Sequence, residues 1–133
     1  MKILMVDDDA DDRDIIRFSM ESINASDTIG FAEDGEQALT ILQDDVALSP
    51  VPQLIVLDLN MPRMNGTETL RSLKQDERFK NIPVIIYSTS INPFEKEKCM
   101  ELGAHSFITK PISYQESVEI ATAFLSFVAP VSK

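Results

Sequence analysis

Leu54-Ile55-Val56-Leu57 is an unbroken aliphatic run that ends in Asp58, and Leu59-Asn60-Met61-Pro62-Arg63-Met64-Asn65-Gly66 follows as turn chemistry. A run without a polar break is the pattern of a strand buried on both faces, which a parallel sheet covered by helices requires. Asp58 therefore falls at a strand's C-terminal edge, where the loops of an open parallel sheet diverge and leave a crevice for ligands. No other stretch restricts the fold so tightly.

Similar short runs recur along the chain. Lys2 to Val6 reads as a strand closed by Asp7-Asp8-Asp9, and Asp27 to Ala32 as a weaker one because Gly30 interrupts it. Ile82 to Tyr87 is a fourth strand, with Pro83 near its start where a missing N–H is tolerable, and Ser106 to Thr109 a fifth. Helical spacing separates them. Ile16, Met20 and Ile23, with Ile15 beside them, form one apolar side after Asp9 and Asp11; Ala38, Ile41 and Leu42 form another after Asp34; Leu70 and Leu73 mark a third between Gly66 and Lys74. Pro93 to Leu102 is a mostly charged helix stopped by Gly103, and Ser113 caps a last helix reaching about Val128. The proline-bearing stretch from Asp44 to Pro52 reads as a surface loop. Five strands alternating with five helices predict one α/β domain, a flavodoxin-like doubly wound (βα)5 sheet of strand order 2-1-3-4-5 with helices on both faces.

Its 133 residues fit a single domain, and 44% hydrophobic with 26% charged residues is a globular balance. A formal charge of −10 argues against nucleic acid or an anionic membrane as a direct partner. Neither Met1 to Val6 nor Ala121 to Val131 is long enough for a signal or a membrane span, so a cytoplasmic protein is expected. Cys99, the single cysteine, has no Cys or His at metal-ligand spacing and reads as a small packing residue.

Polar residues stand at four of the five strand ends: Asp7 with Asp8, Asp58, Ser88 with Thr89, and Lys110. Distant in sequence, they converge on one edge of such a sheet. Carboxylates about 4 Å apart repel by roughly 4 kcal/mol per pair at an effective dielectric near 20, so a cation or a proton must intervene. Oxygen ligands without His or Cys suit a hard divalent ion, and Mg²⁺ commonly takes one or two carboxylates together with waters and a phosphate. Lys110 offers a mobile charge and Ser88 a hydroxyl for phosphoryl oxygens, which leaves Asp58 the role of a carboxylate nucleophile forming an acyl phosphate.

With Val6-Asp7-Asp8-Asp9, Leu57-Asp58-Leu59-Asn60-Met61-Pro62, Gly66, Ser88-Thr89 and Lys110-Pro111 in this order, the chain resembles the receiver domains of two-component response regulators from Lys2 to about Val128. The resemblance implies that a sensor histidine kinase or a histidine phosphotransfer protein phosphorylates Asp58. It implies that Asp8 and Asp58 ligate Mg²⁺ directly, Asp7 through water, and Asn60 through its backbone carbonyl. Ser88, Lys110 and the backbone N–H groups of Asn60 and Thr89 would hold the phosphoryl oxygens. In that family the Lys110-Pro111 bond is usually cis, which places the lysine. Phe107 occupies the family's aromatic switch position, where Tyr is commoner, so switching would act by burial of the ring alone. Asn60 and Ser90 stand where the family tunes self-dephosphorylation.

Blander readings accompany these. Asp7 to Asp12 is a poor EF-hand loop, with Asp12 where the turn glycine belongs and Phe18 where the bidentate Glu belongs. Asp11, Asp12 and Asp14 read as a solvated face. The phosphatase motif of the haloacid dehalogenase family would need an Asp where Asn60 stands. Ser88 alone could be a strand cap and Lys110 alone a surface lysine; His105, Met5, Met61 and Met64 read as packing residues.

Because few residues follow Val128, no attached output domain is expected, and the effector would be a separate protein. A phosphoryl group carries nearly two negative charges; it would draw Ser88 and the following loop inward and make room for Phe107, with the fourth helix, fifth strand and fifth helix as the readout surface. The last helix carries two apolar stripes: Tyr114, Val118, Ala121, Leu125 and Val128 face inward, and Ile120, Phe124, Phe127 and Val131 form a second centred roughly 110° away. That second stripe either wraps onto neighbouring helices or joins a homodimer or effector interface. The reading is a stand-alone response regulator, a phosphorylation-driven switch rather than an enzyme. Its alternatives are a phosphorelay shuttle between histidine phosphotransfer proteins and a receiver-like scaffold that is never phosphorylated.

Overall fold

The structure, a computed structural model, describes residues 1–44, 51–61, 64–89 and 92–128. Residues 45–50 of the proline-bearing loop, Pro62, Arg63, Ser90 and Val131 lie outside the described residues.

Five strands and five helices alternate: β1 Ile3–Val6, α1 Ala10–Ser22, β2 Ile29–Ala32, α2 Gly35–Asp44, β3 Leu54–Leu57, α3 Gly66–Gln75, β4 Val84–Ser88, α4 Pro93–Glu101, β5 Ser106–Thr109 and α5 Tyr114–Leu125. All strand pairs are parallel, in the order β2-β1-β3-β4-β5, which is the flavodoxin-like topology expected from the alternation. Boundaries moved by a few residues. The weak second strand loses its first turn to a 3₁₀ segment, Ser26–Thr28, and β4 starts after Pro83, whose carbonyl still accepts the Ile55 N–H at 3.1 Å.

Burial follows position in the sheet. β1, β3 and β4 are buried throughout, whereas the edge strands β2 and β5 are only partly covered. Two cores flank the sheet. Leu4, Val6, Ile55, Leu57, Val84 and Ile86 join Ala38, Leu42, Leu70, Leu73 and Cys99 on one side. Ile3, Met5, Leu54, Val56, Ile85 and Tyr87 join Ile16, Met20, Ala121 and Phe124 on the other, where α1 and α5 pack together. The alternation of side chains along each strand divides the two sets.

Local chemistry sets the helix ends. Asp9 caps α1 by accepting the Asp11 and Asp12 N–H groups, Asn65 and Glu68 form a capping box on α3, Asn92 caps α4 and Ser113 caps α5. Gly103 ends the α4 region at φ +104°, a conformation that L side chains rarely adopt. Within α4 the buried residue is Cys99; Phe94 and Met100 are exposed.

The α5 expectation needs correction. Phe124 is fully buried, with its ring edge-on to Tyr87 at 5.9 Å, and Ile120 and Phe127 are half-buried against the same core. Of the two alternatives for the Ile120/Phe124/Phe127 face, packing within the domain is the one seen, with Phe124 wholly covered and Ile120 and Phe127 partly so. Tyr114, assigned to the inward stripe, is 61% exposed. The buried positions are Ser117, Ala121 and Phe124, so the sheet-facing direction falls between the two apolar stripes. Ile15, placed beside the inward side of α1, is likewise exposed.

Candidate functional site

Parallel register brings the predicted residues to one edge. Val6 pairs with Leu57, Leu57 with Ile86, and Ile86 with Phe107, so Asp7 and Asp58 leave their strands at the same level. The Asp7 N–H donates to the Ala32 carbonyl at 3.0 Å and the Asp58 N–H to the Val6 carbonyl at 3.0 Å, holding both carboxylates against the last rungs of the sheet. Lys110 is fixed likewise, its N–H donating to the Ser88 carbonyl at 2.9 Å. Gly66 allows the approach of α3, since a Cβ there would run into the Asp58 carbonyl and stand 2.7 Å from the Leu59 Cα.

Carboxylate oxygens of Asp7, Asp8 and Asp58 lie within 4.8 Å of one another. Asp7 and Asp58 are buried, while Asp8 is exposed at the mouth. Asp7 Oδ1 accepts the Asp9 N–H at 2.9 Å; Asp58 Oδ1 accepts the Asn60 N–H at a long 3.4 Å. The Lys110 ammonium is 2.9 Å from Asp7 Oδ2, 2.7 Å from Asp12 Oδ2 and 3.6 Å from Asp58 Oδ2. Three carboxylates thus share one ammonium, with Asp8 beside them. Asp7 Oδ2 is buried and accepts no hydrogen bond of proper geometry, its contact with Lys110 being an ion pair only.

Electrostatics record the shortage of positive charge. Burial, and then repulsion from Asp7, pushes the Asp58 carboxyl up to about 7. Burial also raises Asp7, against the lowering pull of Lys110. Burial pulls the Lys110 ammonium down, but the carboxylates of Asp12 and Asp7 outweigh it and the net direction is up. A set of carboxylate oxygens alone, two of the three groups buried and Asp8 open at the mouth, fits a hard divalent cation, so the donor set expected for Mg²⁺ is compatible with this geometry.

Ser88 is buried at the end of β4, Thr89 is exposed beside it, and Pro111 is half-buried beside Lys110. Phe107 is half-buried and packs against the core on the α3 side of the sheet. His105 stacks edge-on with Phe127 at 4.9 Å, in keeping with its packing role. A cleft of about 630 Å³ lies beside the carboxylates and has Asn60, of the site residues, in its lining.

Three residues escaped the sequence reading. Asp12, assigned to a solvated face, is the closest partner of Lys110. Arg13 donates to the Asp7 carbonyl at 2.7 Å and ties the start of α1 to β1. The Tyr87 ring lies under the Lys110 ammonium at 5.6 Å, on the α1 and α5 side of the sheet. Asp12 left a faint signal, since it falls one helical turn beyond Asp8 and Asp9.

Comparison with known proteins agrees with this arrangement. The pattern of the response regulator receiver domain matches residues 3–122. The response regulator Rcp1 of Synechocystis is 30% identical over 94% of this chain and 86% of its own length. A crystal structure of the phosphorylated cyanobacterial phytochrome response regulator RcpA superposes with a TM-score of 0.84 at 28% identity, covering 98% of this chain and 95% of that one. A Mn²⁺-bound form of Rcp1 superposes with a TM-score of 0.79, at 28% identity and covering 98% of this chain and 96% of that one. Against the transcriptional regulatory protein CpxR of Escherichia coli, 34% identical over 93% of this chain, it spans about half of the relative, 49%. The chain belongs to the response regulator receiver domain family of two-component systems.

Proposed function

We propose that Asp58 accepts a phosphoryl group from the phosphohistidine of a sensor kinase or a histidine phosphotransfer protein, with Mg²⁺, and that the modified domain signals by altered binding to a separate effector. Receiver domains as a family are phosphorylated by such proteins and act as phospho-acceptor switches. The observation that carries the reading for this chain is the cluster of Asp7, Asp8 and Asp58, whose two buried members, Asp7 and Asp58, face the Lys110 ammonium. The solved forms of RcpA and Rcp1, one phosphorylated and one Mn²⁺-bound, support the same assignment by likeness.

An Asp58 oxygen attacks phosphorus in line, the O–P bond forming as the P–N bond breaks, and the electron pair of that bond returns to the imidazole. Attack needs the Asp58 carboxylate free of its proton, which burial alone opposes. Bound Mg²⁺ would offset that penalty and neutralise the phosphoryl oxygens, held by Asp8 and Asp58 directly, by Asp7 through water and by the Asn60 carbonyl. Lys110, the Ser88 hydroxyl and the N–H groups of Asn60 and Thr89 then orient the phosphoryl oxygens. Ser88 moving toward them leaves room for Phe107 to pack further inward, which biases an existing equilibrium of the domain.

Intact mass tests the acceptor. After incubation with Mg²⁺ and a phosphohistidine-bearing kinase domain or acetyl phosphate, the wild type should gain one phosphoryl group, the Asp58→Asn variant none, and chelator should prevent the gain. An unmodified wild type with every donor, or a modified Asp58→Asn variant, would refute the assignment.

A further inference from the structure

Lys110 is closer to Asp12 than to the two strand-end carboxylates, at 2.7 Å against 2.9 Å for Asp7 and 3.6 Å for Asp58. Residues 98 apart in sequence are joined here, one in the first turn of α1 and the other just after β5. Asp12 is only partly exposed, 24% at its side chain, and Lys110 8%. Pro111 follows Lys110 and Ile15 lies about one turn after Asp12, so the pair adjoins a groove of about 310 Å³ whose walls are Ile15 and Phe18 of α1 and, after β5, Pro111, Ile112 and Tyr114. Further along, the Ser19 hydroxyl donates to the Ser117 hydroxyl at 2.8 Å across the same two helices. Two polar ties therefore join α1 to α5 and the segment before it. One is neutral and buried; the other uses the same ammonium that faces the acceptor.

We propose that Asp12 is a positioning residue: it holds Lys110 away from Asp58 in the unmodified protein, and modification of Asp58 releases that hold and frees α1 from the segment after β5 beside the groove. The inference rests on the reading of Asp58 as phosphoryl acceptor. An ammonium has three donors, and a tetrahedral dianion beside Asp58 is a stronger partner than a partly exposed carboxylate 2.7 Å away in the first turn of α1. The ammonium already divides itself among Asp7, Asp12 and Asp58, so the new anion competes with Asp12 for its donors. Asp12 thereby sets how readily the modified state forms, through Lys110, without touching the acceptor.

Trifluoroberyllate, a tetrahedral phosphoryl mimic that binds carboxylates, tests this in the presence of Mg²⁺. Asp12→Asn should tighten its binding by about twofold to fivefold, the range open to a partly exposed ion pair. In a Lys110→Gln background the same change should have little effect, because the competition runs through the ammonium. Equal gains in both backgrounds would mean general charge repulsion, and no gain in either would mean no competition; both overturn the proposal. A second readout needs no change at Lys110. The backbone amide signals of Phe18 and Ile112 should shift when trifluoroberyllate binds the wild type, and Asp12→Asn alone should move them part of the way along the same line. Signals that stay in place, or that move off that line, would refute it. Failure of the mimic to bind the wild type would instead overturn the acceptor reading, and this inference with it.

Discussion

Asp58 is a carboxyl group folded into a place that disfavours its charge. It rises from an ordinary 3.8 to about 7, through burial first and the nearby Asp7 second. Between those two values the folded chain binds more protons than the unfolded chain, so without metal its stability is highest on the acid side and falls as pH rises through the window. Asp7 shifts in the same direction and adds to that slope. Denaturation in chelator at pH 5 and pH 7.5 should show the loss in the wild type, a much smaller loss in Asp58→Asn, and a further reduction in the wild type when Mg²⁺ replaces the chelator. An unchanged slope in Asp58→Asn would assign the effect elsewhere. The strand-end residues were legible because each stands alone after an apolar run, where a fold with converging ends gives it a common destination. Asp12 was not, for an acidic residue in a helix's first turn is what the helix dipole favours in any case. Only the packing of α5 against α1, which carries the segment after β5 over to the first turn of α1, brings Lys110 to it.

At the scale of elements, α5 shows how a periodic pattern gives a face but not its phase. Two apolar stripes flank a direction marked by a serine, and a count of hydrophobic residues gives Ser117 no weight. Its hydroxyl is nevertheless buried and satisfied, accepting from Ser19 and donating to the Tyr114 carbonyl at 2.6 Å. A small, paired hydroxyl lets α1 and α5 approach closely, which turns Phe124 under the sheet against Tyr87. Phe124→Ala should therefore cost about 3–5 kcal/mol in chemical denaturation, the loss expected for a core aromatic. Phe94→Ala, at a ring 83% exposed on α4, should change stability by about 0.5 kcal/mol or less. Similar losses at the two sites would contradict the packing. The strands were easier to read because an unbroken apolar run has no phase to mistake, and the errors there were confined to their ends, chiefly the first residues, with β4 also running on to Ser88.

Across the whole molecule, two cores share one sheet, but its helices are not anchored equally. α1 and α5 lock together, with a buried serine pair between them, whereas within α4 a single side chain, Cys99, is buried while its neighbours face water. Among the described residues, no helix is long and apolar enough to cross a membrane. Burial also raises the Cys99 thiol above its ordinary value, so the nucleophilic thiolate is scarce in the closed state. Reaction with a disulfide reagent should then be slow and should depend on denaturant less steeply than global unfolding, because α4 can lift while the remaining sheet stays intact. Equal dependence would mean that α4 opens only when everything does. The one sulfur that fastens this helix is thus also a chemical clock for its departure, built into the native chain and readable without attaching any dye.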